Sequence, residues 1–253
     1  MHRRKKLRKS KNAAIYLFVS IILIVLLGIF GLSVFMKIME IEVAGASYYT
    51  GREIIEASGI LAGDNIMFLD TSTAAERILT EKPYISEVRI ESVPPTAIRI
   101  TVSESVPVAS IRHRNEALLI DSSGRVLDKW ETAPGNLIEI RGFTPLEAEV
   151  GSMMRAMSGS ETQLRSLADV LQAFERAGIL GDVTYLDVEH ISTISFGYIG
   201  RFTVILGGAT NVSHKLNQLP GSVSWIDEEK PGGVTGVINM SDASGEYRFI
   251  EDR

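Results

Sequence analysis

The spacing of apolar and polar positions changes several times along this chain, and each change marks an element. Ala13–Met36 carries no charge over 24 residues. At about 1.5 Å rise per residue a helix of that length crosses a hydrocarbon core of about 30 Å. Met39-Glu40-Ile41-Glu42-Val43 then alternates apolar and acidic, the period of a half-buried strand. Thr50-Gly51-Arg52-Glu53 has the spacing of a capping box, so a short helix starts there and ends at Gly59. Gly63-Asp64-Asn65 reads as a turn. Ala74, Ala75, Ile78 and Leu79 give a second helix an apolar face, and Pro83 stops it. Two alternating runs follow, Ser86–Glu91 and Ile98–Ser103, with Val93-Pro94-Pro95-Thr96 as the turn between them. The order over residues 37–106 is β-α-α-β-β.

From Pro107 to Arg253 the pattern is strand-dominated. Leu118–Leu127 reads as strand, turn, strand around Asp121–Gly124, and Leu137–Ile140 as a short strand closed by Gly142. Pro145–Gly159 is rich in Met, Gly and Ser and reads as a loop. Ser160-Glu161-Thr162-Gln163 repeats the capping-box spacing. Leu164, Leu167, Ala168, Leu171 and Phe174 then form one helical face, ended by Gly178. Tyr185–Val188, Ile194–Phe196 and Phe202–Leu206 are strand candidates, Lys215-Leu216 sits on a short helix, and Gly236–Met240 and Tyr247–Ile250 are the last strands. The fold class expected is α+β: a single N-terminal transmembrane helix, a β-α-α-β-β domain, then a strand-dominated α+β domain. The boundaries are 1–12, 13–36, 37–106 and 107–253.

Charge changes the picture at the N-terminus. The net of −5 hides an asymmetry: residues 1–12 hold seven basic residues and no acidic one, and residues 13–253 hold 19 basic against 31 acidic. A basic cluster directly before an apolar span keeps that flank in the cytoplasm, so residues 37–253 are expected outside the membrane. The same cluster gives some attraction to anionic lipid and is no argument for nucleic acid. A cleaved signal peptide is the competing reading, with Ala44-Gly45-Ala46 as its cleavage pattern, but its apolar region would run only about 7–15 residues.

Candidate chemistry is sparse. The chain has no cysteine, which removes disulfides, thiolate metal sites and a cysteine nucleophile. The four histidines, His2, His113, His190 and His214, have no metal-ligand spacing. No nucleophile elbow, Walker A or dinucleotide fingerprint occurs. Gly207-Gly208 before a short helix does not by itself make an anion site. No cofactor, metal, nucleic acid or small-molecule substrate is therefore expected.

Several local sequences carry a resemblance. Ile41–Gly45, Gly63-Asp64-Asn65-Ile66-Met67, Pro83-Tyr84-Ile85, Pro95–Ile100 and Val102-Ser103-Glu104 through Pro107-Val108-Ala109 occur in that order behind the apolar span. Together they resemble the POTRA domain of the FtsQ/DivIB family of bacterial cell-division proteins. Ser105 departs from the pattern, which usually has a basic residue there. Ile120-Asp121 with Gly124 and Val126, and Val204–Gly207 with Lys215-Leu216, resemble the family's second domain more thinly, and Ile238-Asn239-Met240 departs mildly from it. The resemblance implies a non-catalytic scaffold of the divisome, enriched at the septum, that binds small bitopic partners of the FtsB/DivIC and FtsL type by β-strand addition in support of septum formation. It points to a C-terminal edge strand as the partner-binding site, with candidates Val237, Ile238, Met240, Tyr247 and Phe249, about half of which strand alternation turns toward the core. A membrane-anchored cell-wall hydrolase or other envelope enzyme is the alternative.

Overall fold

The structure is a computed structural model and describes residues 11–242 and 247–252, with side chains in the first helix described for 15–31. Most of the basic cluster and the Ala243–Gly245 part of the last turn lie outside the described residues. The first helix, α1 (Lys11–Phe35), is 25 residues long, and its side chains from Ile15 to Phe30 are exposed. Among the described residues no helix is long and apolar enough to cross a membrane. The described chain divides into two compact units, one of residues up to Ile78 with Glu87–Ser103, the other of Leu79–Ser86 with residues from Glu104 onward.

The first unit joins β1 (Glu40–Ala44), α2 (Gly51–Ser58), α3 (Thr71–Glu81), β2 (Ile85–Val93) and β3 (Ala97–Glu104). The sheet order is β1-β3-β2, with β1 parallel to β3 from Glu40↔Ala97 to Ala44↔Thr101. Thr50 caps α2 as its spacing predicts: Glu53 N–H donates to the Thr50 hydroxyl at 3.3 Å, and Thr50 N–H donates to the Glu53 carboxylate at 2.8 Å. Gly59 closes the helix in the left-handed region, at φ 69°. Alternation along β3 buries Ile98, Ile100 and Val102 against Ile54 and Ile78 of the helices, all five at 3% exposure or less.

The second unit is a mixed nine-stranded sheet with two helices on one face. Its strands are β4 (Ala109–His113), β5 (Glu116–Ile120), β6 (Val126–Trp130), β7 (Ile138–Arg141), β10 (Val183–Asp187), β11 (Ile194–Tyr198), β12 (Phe202–Gly207), β13 (Gly236–Asn239) and β14 (Arg248–Glu251). They lie in the order β14-β13-β12-β11-β10-β7-β4-β5-β6. The helices are α4 (Glu161–Ala177) and α5 (Val212–Glu229). Leu167, Leu171 and Phe174 of α4 are fully buried, with the Phe174 ring 4.8 Å from that of Phe196. On the opposite face Tyr185 donates to or accepts from Thr203 and stacks under Arg141, an open polar surface.

Three expectations are corrected. The run 145–159 is not all loop: β8 (Pro145–Glu147) and β9 (Arg155–Ala156) pair as a ribbon, with Glu147 and Arg155 in an ion pair at 2.8 Å. The second capping box does not form. Ser160 makes no side-chain cap bond; its N–H donates to the Met157 carbonyl at 2.9 Å, and the Gln163 side chain donates to the carbonyls of Gly142 and Val188. And α5 is not short. It runs 18 residues through Pro220, with Glu228-Glu229 in its last turn. An interior proline costs a helix about 3 kcal/mol. Here Leu216, Leu219 and Ile226 bury a face around it, and the Ser222 and Ser224 hydroxyls bond the Gln218 and Pro220 carbonyls.

Candidate functional site

The five candidate residues fall on two strands rather than one edge. Val237 and Ile238 are on β13, which pairs with β12 in parallel and with β14 in antiparallel, so neither is at the edge. Met240 follows β13, is fully buried, and donates its N–H to Ile205 at 2.8 Å. Val237 is half-buried on the polar face while Ile238, at 1% exposure, faces the helices, as strand alternation requires. Tyr247 immediately precedes β14 and Phe249 lies on it, both half-buried.

The edge itself is β14. Asp252 N–H donates to the Thr235 carbonyl at 3.1 Å, which fixes the ladder's phase. In an antiparallel pair hydrogen-bonded and non-bonded positions alternate. The amides of Arg248 and Ile250 therefore point inward at β13, and those of Phe249 and Glu251 point outward. Among the described residues no strand pairs with that outer side.

Beside this edge the surface is concave. A groove of about 590 Å³ lies between α5 and β14, with Trp225, Ile226, Ile238, Tyr247 and Phe249 as its apolar lining. Asn217, Gly221 and Trp225 recur every four residues on α5, so they share one face. Gly221 leaves open space where a side chain would stand, and Trp225 is 60% exposed. Two buried polar atoms in the groove, Gln218 Oε1 and the Tyr247 hydroxyl, have no hydrogen-bond partner among the described residues. Burial pushes the Tyr247 pKa up.

Charges brace the groove's far end. Arg201 Nη2 meets Asp227 at 2.6 Å and Arg201 Nε donates to the Val234 carbonyl, tying α5 to the start of β12. The hydrogen bond from Arg201 holds the Asp227 carboxyl below its ordinary value and raises the Arg201 pKa in turn. Lys230 pairs with Glu251 of β14 and lies 5.7 Å from the Phe249 ring centre. At the other end of α5, Lys215 donates to the Leu206 carbonyl, and burial lowers its pKa. Among the described residues no cluster of three or more His, Asp or Glu has the spacing of a metal site.

Tyr247 and Phe249 were legible from the sequence. The α5 wall was not, because Pro220-Gly221 reads as a stop. The available signal was the recurrence of Leu219, Val223 and Ile226, four and then three residues apart, through that proline.

The described residues thus place an open strand edge next to an apolar groove on an α+β unit. Comparison with known proteins shows what the chain is similar to. Residues 36–105 match the family model described as POTRA domain, FtsQ-type. A DivIB cell-division protein of Clostridium botulinum is 28% identical over 98% of this chain and 94% of its own. An FtsQ cell-division protein of Corynebacterium glutamicum is 26% identical over 68% of this chain and 78% of its own. The chain is thus similar to FtsQ and DivIB cell-division proteins, and its residues 36–105 to an FtsQ-type POTRA domain. Among solved structures, the extracytoplasmic domain of DivIB from Geobacillus stearothermophilus matches 51% of this chain and 98% of that one, with 15% identity and a TM-score of 0.32, too low to bear on the fold.

Proposed function

We propose that this chain is a non-catalytic scaffold of the bacterial division machinery, held in the cell membrane by residues 13–36. The basic residues 1–12 stay in the cytoplasm, and residues 37–106 and 107–253 form the POTRA and β domains outside. It acts by binding small single-span proteins of the FtsB/DivIC and FtsL type during septum formation. The observation that carries this reading is the pairing of an open edge with a groove. A partner strand aligned on β14 accepts and donates main-chain bonds at Phe249 and Glu251, and its alternate side chains enter the groove beside Trp225. The free Gln218 carbonyl oxygen favours a partner side chain that brings a donor.

The test is co-purification from a bacterial host of the full chain and of a chain ending at Ser241. The cut removes β14 but keeps Ile238 and Met240, which belong to the core. Loss of the small partner with the second unit still folded supports the reading. Undiminished recovery of the partner overturns it.

A further inference from the structure

The residues after α1 are stitched to a turn of the first unit. Met36 accepts from Ile66 N–H at 3.0 Å, Lys37 bridges to Asn65, and Ile38 bonds both Asp64 and Gly63 at 2.8 Å. The turn from Leu61 to Phe68 therefore sits where α1 ends. Its side chains are apolar and uncovered: Leu61 is 66% exposed, Met67 56% and Phe68 78%, with Met39 beside them at 78%. Met39 N–H donates to the Thr96 carbonyl, and Glu40 registers with Ala97, so the Val93–Thr96 turn lies at the same end. Outside α1, every exposed large apolar side chain described in this unit except Tyr48 belongs to this end. Tyr48 follows the opposite end of β1.

The backbone of the turn is suited to leaving water. Leu61 N–H donates to the Asp64 carboxylate at 2.9 Å, and Met67 N–H to the Asn65 side chain at 2.9 Å. Gly63, Asp64, Ile66 and Phe68 all donate to backbone carbonyls. A segment whose amides are already paired loses little when it moves into a water-poor layer, whereas unpaired amides resist it.

From these two observations we infer that the rim formed by Met39, Leu61, Met67 and Phe68 inserts into the interfacial layer of a lipid bilayer. The first unit then rests on the membrane surface and does not swing on a free tether. Continuity with the end of α1 selects lipid as the occupant, and the inference rests on the proposed anchor at residues 13–36. Amphipathic elements of this kind seat about 5–10 Å into the headgroup boundary.

The absence of cysteine makes the test direct, because one introduced cysteine labels a single site. Ile24→Cys, Tyr48→Cys, Leu61→Cys and Phe68→Cys full-length chains each carry a nitroxide and are reconstituted in phosphatidylethanolamine–phosphatidylglycerol vesicles. Relaxation by oxygen against a water-soluble nickel chelate reads the depth. The expected result is oxygen-dominated relaxation at 24, 61 and 68, with 61 and 68 about 5–10 Å below the phosphates, and nickel-dominated relaxation at 48. Nickel access at 68 equal to that at 48, with 24 deep, overturns the inference and leaves the anchor intact. An aqueous position 24 removes the anchor and the inference together. Shielding of 68 from both reagents means a second copy covers the rim, and also overturns it.

Discussion

The nine-stranded sheet ends differently on its two sides. At the β6 side the chain covers its own edge. Val126 N–H donates to Ser152, Gly151 N–H to Val126 and Met154 N–H to Gly124, so the 151–154 segment lies along the start of the strand. The rest of β6 carries Asp128 and Lys129, charges that discourage another strand. At the β14 side nothing described covers the edge, and an apolar groove runs next to it. An uncovered edge invites unwanted pairing, and proteins generally blunt such edges. One edge of this sheet is blunted and one is left open, which is what a strand-adding partner requires.

The largest effect should come from the layer just inside the open edge. Met240→Pro removes the bond to Ile205 and a fully buried side chain. It should cost about 3–5 kcal/mol, read as a large fall in the denaturant midpoint of the second unit. A stable Met240→Pro variant would mean that the core stops short of β13. Trp225→Ala, which changes the groove and no core layer, should weaken the partner about 30-fold or more. Isothermal titration with the partner's extracytoplasmic segment checks it, and unchanged affinity would move the docking surface off α5.

Closer to the comparison itself is Gly151→Val. Gly151 sits at φ 86°, a conformation that costs a β-branched residue about 1–3 kcal/mol. The strain should peel the covering segment from β6 and convert the blunted edge into a sticky one. Sedimentation should then show concentration-dependent self-association that the parent chain lacks. Glu251→Pro is the complementary change at the open edge. Its amide points outward, so the β13–β14 ladder is kept while a partner bond is lost. The exposed Lys230 pair that goes with it contributes little. Partner affinity should fall about 10-fold, with little change in Tm, whereas Ile250→Pro should lower Tm because its amide faces β13.

Much of this comparison was readable before any coordinates, and the part that was not has identifiable causes. Alternation in Ile98–Val102 and the helical spacing of Leu167, Leu171 and Phe174, four and then three residues, reach the structure unchanged, because their buried faces are set by local period. Asp121 reads as a turn and is one. Its buried carboxylate accepts from Ser123, Arg125 and Ser105. Non-local decisions were hidden. Pro220 hid α5, since tertiary burial of Leu219 and Ile226 outweighs a local penalty. Strand order hid the edge: period alone says that Val237 and Phe249 are in strands, not that β14 lies outside β13. Gln163 shows the same limit on a smaller scale: its side chain bonds a distant pair of carbonyls, and the expected cap at Ser160 does not form.

The smallest expected effect concerns the brace at the open edge. Asp227 is held below its ordinary carboxyl value by the hydrogen bond from Arg201. A carboxyl with a depressed folded value adds stability that is present above the unfolded value, near 3.8, and fades as pH falls through the folded one. Acidification below about pH 4 should therefore loosen α5 from the start of β12 before the core responds. Trp225, on the same helix, reports it through its fluorescence. Asp227→Asn should remove that low-pH component while leaving the neutral-pH spectrum and Tm nearly unchanged, because an exposed pair of this kind is largely screened. An acid transition in Trp225 emission identical in the Asp227→Asn chain would show that the groove is shaped by packing alone, and that the open edge needs no electrostatic brace.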